Sequence, residues 1–267
     1  MTGADVRGTH SHASHVAIDE GLRNHMLHIY NYMALGFAVT GLAALAIYGL
    51  SVTGEMAAAA KIVRGGATIP VRIAGDLYLT PFGYSVFESP IKWLVMLAPL
   101  AMVLLLSFGV QRMRAILAQA SFWIFAALMG LSISAIFLVF TQTSIMRVFF
   151  ITAASFGALS LWGYATQRDL TNTGAFLIMA LFGIVLAGLV NMFTASSALQ
   201  FAASVAGVLV FAGLTAWDSQ RLKTEYLEGA LDGESAERAA IIGALLLYLN
   251  FINIFTLLLQ LLGQREE

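Results

Sequence analysis

One carboxylate and two amides are the groups in this chain best placed to do chemistry. Asp218 stands where a long apolar stretch, Ser197 to Trp217, runs out, and Asn250 and Asn253 fall in the middle of a later one, Leu247 to Phe255. Ionisable and amide groups at or inside a bilayer cost several kcal/mol unless they face other protein or water, so they mark function by default. Only the carboxylate can gain or lose charge, which makes Asp218 the group able to respond to protons. Asn250 and Asn253 are i and i+3 on one helix and so lie on neighbouring faces. The remaining amides, Asn191, Gln119 and Gln260, read as interhelical hydrogen bonds of about 0.6–2 kcal/mol.

The same inventory argues against catalysis. A serine nucleophile needs an adjacent base, a metalloprotease needs at least two ligands at a defined spacing, and an aspartyl protease needs two carboxylates sharing a proton. No histidine occurs beyond His28, and no glutamate falls within an apolar stretch. The absence of cysteine removes disulfides, thiolate metal sites and thiol chemistry together. A non-enzymatic protein without a cofactor is therefore expected. His10, His12 and His15 form a weak metal-binding tract, for which a polar, unstructured tail is the plainer reading.

Composition says what must hold these groups. The chain is 59% hydrophobic and only 11% charged, with a mean hydropathy of +0.83, whereas soluble domains carry about 25% charged residues. It reads as an integral membrane protein whose first partner is the lipid bilayer. No basic stripe points to nucleic acid. Residues 1–28 form a polar tail without an apolar core and small-residue cleavage site, so no cleaved signal peptide is expected.

A helix needs about twenty apolar residues to cross about 30 Å of hydrocarbon. Windows of that length fall at about 29–50, 91–110, 115–139, 145–165, 172–193, 197–217 and 240–262. Lipid cannot satisfy backbone polar groups, so each window must be helical. The predicted fold is an all-α membrane protein with seven transmembrane helices, occupying residues 29–263. Basic residues near the span ends favour a cytoplasmic amino terminus: Arg7, Arg23, Arg112, Arg114, Arg168, Arg221, Lys223 and Arg238 fall inside, against Lys61, Arg64, Arg72, Lys92, Arg147 and Arg265 outside.

The outer loop, about 51–90, predicts a short hairpin over Ile69 to Leu79 turning at Ala74-Gly75-Asp76. Phe82, Tyr84 and Phe87 then suit a membrane interface. Gly183 with Ala187, and Ala203 with Gly207, have the small-residue spacing that lets helices approach. Pro99 is expected to kink the second span.

Four stretches carry a family resemblance: Phe122–Ser132 (FWIFAALMGLS), Ile151–Tyr164 (ITAASFGALSLWGY), Ala216–Lys223 (AWDSQRLK) and Leu247–Phe255 (LYLNFINIF). In this order they resemble the transmembrane Bax inhibitor motif family, in its bacterial YccA-like branch. The likeness covers about residues 91–263 and the first span; the outer loop and the tail lie outside it. The resemblance implies seven helices with the last central to the other six, in a bacterial inner (plasma) membrane. It also implies a pH-sensitive calcium leak, in which two aspartates at the cytoplasmic ends of the sixth and seventh helices share a proton and an arginine ending the second helix joins them. Matched residue by residue, the sixth-helix aspartate is Asp218, the arginine is Arg112 with Arg114 as the fallback, and the seventh-helix aspartate falls on Asn250, with Asn253 beyond it as support.

The asparagine changes the chemistry. Two close carboxylates repel, and that repulsion brings proton binding toward neutrality; an amide removes it, so weaker or displaced pH gating is expected. Calcium prefers several oxygens with net negative charge, so a site at Asp218 and Asn250 is expected to be weak. Some bacterial relatives restrain membrane proteases, which gives the rival expectation: an interaction protein working through the tail and a loop from Ser219 to Arg238, with Asp218 as an anchor.

Overall fold

The computed structural model describes residues 4–64, 67–229 and 233–266. Among them, seven helices are long and apolar enough to cross a membrane: Glu20–Ser51, Ile91–Gly109, Ala115–Leu138, Gln142–Ala165, Thr171–Thr194, Ser197–Glu228 and Gly233–Leu262. The chain is an all-α, multi-pass membrane protein, and each observed span contains or closely tracks the window read from hydropathy.

Three ends differ from expectation. The first helix, α1 (Ala4–Ser51), runs back through the segment read as an unstructured tail. No proline precedes Pro70, and extending an existing helix avoids the cost of a new nucleus. The sixth spanning helix continues to Glu228 and the seventh begins at Gly233, so the segment from Ser219 to Arg238 is mostly helix rather than loop. Arg221 pairs with Glu225 at i,i+4 on that extension, Nε to Oε1 at 2.9 Å, a spacing that supports helix.

The chain divides into two compact units, Met1–Ala34 with Ser155–Phe251, and Leu35–Ala154 with Ile252–Glu267. The second unit holds the outer loop. After α1, strands β1 (Val52–Thr53), β2 (Lys61–Arg64), β3 (Ala67–Pro70), β4 (Arg72–Ala74) and β5 (Leu77–Leu79) precede the short helix α2 (Pro81–Phe87). The predicted hairpin is β4–β5, turning at Gly75 and Asp76, with Gly75 at φ +48°, the left-handed region that glycine enters without a Cβ penalty. Ile69 and Pro70 belong instead to a second hairpin, β2–β3, which hydropathy did not reveal. Thr80 caps α2 by accepting from the Gly83 amide at 3.0 Å, with Pro81 in the first turn.

Helices α3 (Ile91–Gly109) and α4 (Ala115–Ile133) follow, and Pro99 sits buried within α3, which continues through it. Thr40 on α1 donates to the Ala126 carbonyl of α4 at 2.8 Å, buried. The last residues are tied to the start of α5 (Gln142–Ala165): the Thr141 amide donates to Gln264 O at 3.0 Å, and the Gln264 amide to Ser144 Oγ at 2.9 Å.

The first unit holds the end of α5 together with α6 (Thr171–Thr194), α7 (Ser197–Glu228) and the greater part of α8 (Gly233–Leu262). Of the small residues predicted to make helix contacts, Gly207 is buried and Gly183 is not. Gly183 is exposed with open space around it. The close approaches fall at Gly163, where a Cβ would strike the Ala216 backbone, and at Gly174, where it would strike the Trp217 indole. Asn191, read as an interhelical bond, closes the α6–α7 turn instead: its Oδ1 accepts from the Ser196 amide at 2.9 Å, where Ala195 adopts φ +48°. Glu237 near the start of α8 accepts from the Tyr32 hydroxyl of α1 at 2.5 Å and lies 3.5 Å from His28 Nε2.

Candidate functional site

Glycines at both neighbouring helices seat the stretch Ala216-Trp217-Asp218. With Gly163 on α5 under Ala216 and Gly174 on α6 under Trp217, α7 can approach both helices, and the next side chain, Asp218, turns into the interior. Asp218 is 4% exposed and Asn250 6%. Asn250 Nδ2 donates to Asp218 Oδ2 at 2.7 Å, a buried hydrogen bond between α8 and α7. Of the seven spans the last hides the largest share of its apolar window, 61%, so an amide there faces protein.

Arg221, one turn further along α7, places Nη1 at 3.9 Å from Asp218 Oδ1. It is more firmly held by Glu225 and by stacking over the Trp217 ring at 5.2 Å. At about one-third exposure, such a pair contributes at most about 1 kcal/mol. The larger effect is the Asn250 hydrogen bond to Oδ2, since an unpaired buried charge costs several kcal/mol.

The other site residues read from the sequence, Arg112, Arg114 and Asn253, belong to the second unit. Arg112, read as the closing cation, is exposed at the end of the 3-10 turn Val110–Arg112, and Arg114, also exposed, precedes α4. The cation set beside Asp218 is Arg221, which the sequence signalled through i,i+3 helical spacing. Asn253 is half-buried, and its carbonyl accepts from Thr256 Oγ1 at 3.1 Å. Asn250 turns its nitrogen to the acid, so in this arrangement Asp218 Oδ2 is engaged by an amide hydrogen bond. Among the described residues, no group of three or more His, Asp or Glu side chains is placed to hold a metal ion; the tract His10, His12, His15 lies outside the residues whose side chains are described.

Sequence reasoning missed a hydroxyl chain beside the acid. Ser219 Oγ donates to the Thr215 carbonyl at 2.8 Å, Ser160 Oγ lies 2.7 Å from Ser219 Oγ, and Tyr30 OH lies 2.7 Å from Ser160 Oγ. A carbonyl only accepts, so Ser219 spends its single proton there. Ser160 must then donate to Ser219, and Tyr30 to Ser160. The chain thus runs one way, from α1 through α5 to α7. Gln220 adds a clamp on the α5–α6 turn: Nε2 donates to Arg168 O at 2.7 Å and Oε1 accepts from the Leu170 amide at 2.9 Å. Lys223 Nζ donates to the Tyr164 carbonyl at 3.0 Å near the end of α5. Gln220 and Lys223 thus tie this part of α7 to backbone groups of α5 and the α5–α6 turn, and no pattern in the sequence marks such partners.

A family model described as Inhibitor of apoptosis-promoting Bax1 matches residues 22–267. The chain belongs to the Bax inhibitor-1 family. The match runs through the outer loop, which the four motifs left outside. Among similar proteins, an uncharacterized protein of Rickettsia prowazekii is 41% identical over 249 residues, covering 93% of each chain. One from Caulobacter vibrioides is 38% identical over 252 residues, 94% of this chain and 93% of its own. The inner membrane protein YbhL of Escherichia coli is 46% identical over 174 residues, 64% of this chain and 74% of that one.

Proposed function

We propose that the protein is a pH-sensitive, calcium-permeable leak channel of a bacterial inner membrane, amino terminus cytoplasmic, gated at the Asp218/Asn250 pair and doing no enzymatic work. The observation that supports this reading is the buried 2.7 Å hydrogen bond between an ionisable group and an amide on two spanning helices. Ionised Asp218 accepts from Asn250 Nδ2 and attracts Arg221. Once protonated, it becomes a donor, loses that attraction, and is better matched by Asn250 Oδ1. A proton on Oδ2 favours rotation of the amide or separation of α7 from α8, and one on Oδ1 leaves Oδ2 a neutral and weaker acceptor; in both cases the charge that ties the two helices is lost, which is a two-state element biased by pH. Arg221, not Arg112, is the cation this reading uses.

Purified protein in liposomes carrying a calcium indicator should admit calcium, and Asp218→Asn should change the rate or flatten its pH response. Inert wild-type vesicles would count against the channel.

A second reading, an interaction protein regulating a membrane protease, is favoured by one observation. Helix α1 has 48 residues, about 72 Å at 1.5 Å per residue, more than twice the hydrocarbon thickness. Removal of residues 1–19 separates the two readings, because a leak should persist whereas partner capture should be lost.

A further inference from the structure

A pocket of about 380 Å³ lies within the second unit, beneath the β4–β5 hairpin and α2 and beside α3 and the far end of the third span. This is within the range of sites that hold small ligands, about 300–1,000 Å³. Its walls are mainly apolar, with Val86, Val95, Met96, Ala135 and Leu138 among them, and three charged residues line it: Arg72, Lys92 and Glu88.

Those charges do not cancel. Two cations meet one acid, and among the described residues the ion pairs include neither Arg72 nor Lys92. Arg72 spends its Nε on the Gly75 carbonyl, which leaves its terminal nitrogens available. Lys92 is half-buried, its stem against apolar surface, as long cationic side chains sit at interfaces.

Depth identifies the solvent. Lys92 lies in the first turn of a spanning helix that starts at Ile91, and Leu138 ends another span. Exposed Trp93 and Phe82 flank the same end, as aromatic side chains do at headgroup level. A mainly apolar slot at the ends of two spans, carrying surplus positive charge beside exposed aromatic residues, matches one chemical class, an anion with an acyl tail.

We propose that this pocket holds a single anionic phospholipid, its phosphate at Lys92 and Arg72 and an acyl chain against Val95, Met96 and Ala135. The site is independent of the reading of Asp218 and Asn250, and it gives the outer loop a ligand.

Native mass spectrometry of the full chain in detergent, titrated with phosphatidylglycerol, tests it. Wild type should retain one lipid. Each of Arg72→Ala and Lys92→Ala should weaken retention about fivefold, the effect of about 1 kcal/mol per basic residue near a lipid surface. Ala135→Trp, which fills the slot and spares both cations, should weaken it too. Inorganic phosphate at equal concentration should not displace the lipid. Unchanged retention in Arg72→Ala and Ala135→Trp overturns the proposal, and so does displacement by phosphate, which would make this a free-anion site. Arg72 is exposed on the hairpin, so that variant remains informative if Lys92→Ala fails to fold.

Discussion

Asp218 is the group whose state matters most, and its partners decide what each substitution does. Asn250→Ala removes the donor and leaves a buried carboxylate with Arg221 alone. The expected loss is about 1–3 kcal/mol, seen as a lower unfolding midpoint in detergent. Asp218→Asn keeps a neutral hydrogen-bonding partner for Asn250 and should fold nearly as well, so a changed leak in that variant reports charge rather than collapse. Asn250→Asp restores two facing carboxylates and should move the pH midpoint of the leak toward neutrality. A titration curve that stays put in liposomes would discard the proton-sharing account.

At the scale of elements, the α5–α6 turn and the glycine contacts position α7. Asp169, in that turn, has its carboxylate held below the usual range by hydrogen bonds from the Thr171 hydroxyl and amide, the amide at 2.9 Å. A lowered value means its stabilisation is present above the unfolded value, about 3.9, and fades as pH falls through the folded one. Asp169→Ala should therefore unfold more readily than wild type at pH 6, with the gap closing below about pH 4. Gly174→Ala pushes a methyl into the Trp217 indole and should cost about 1–3 kcal/mol. Gly183→Ala meets open space and should be neutral or stabilising by about 0.4–1 kcal/mol. Equal unfolding midpoints for these two variants would contradict the observed packing.

For the whole molecule, the absence of cysteine is an experimental opening. Single substitutions Thr68→Cys in the outer loop and Thr224→Cys near the end of α7 can be probed with a membrane-impermeant maleimide in intact spheroplasts. With the amino terminus cytoplasmic, Thr68→Cys should react and Thr224→Cys only after lysis. The reverse pattern would invert the orientation drawn from the basic residues.

Sequence alone determined the class, the seven spans and the family, because hydropathy over twenty residues and long ordered motifs are properties of the chain itself. It also located Asp218 and Asn250, since polar residues stand out where lipid excludes them. Arg221 beside Asp218 was not legible in the sequence: it lies 3.9 Å away through helical spacing, but that spacing counts only once α7 is known to continue past Trp217. Likewise the tail read as unstructured proved helical, and Gly163 and Gly174, not Gly183, proved to be the close contacts. Which face of a lipid-embedded helix meets a neighbour leaves almost no hydropathic trace, since apolar side chains suit lipid and protein alike. The Tyr30–Ser160–Ser219 chain and the pocket behind Lys92 join residues far apart in the chain, and only the tertiary structure brings them together.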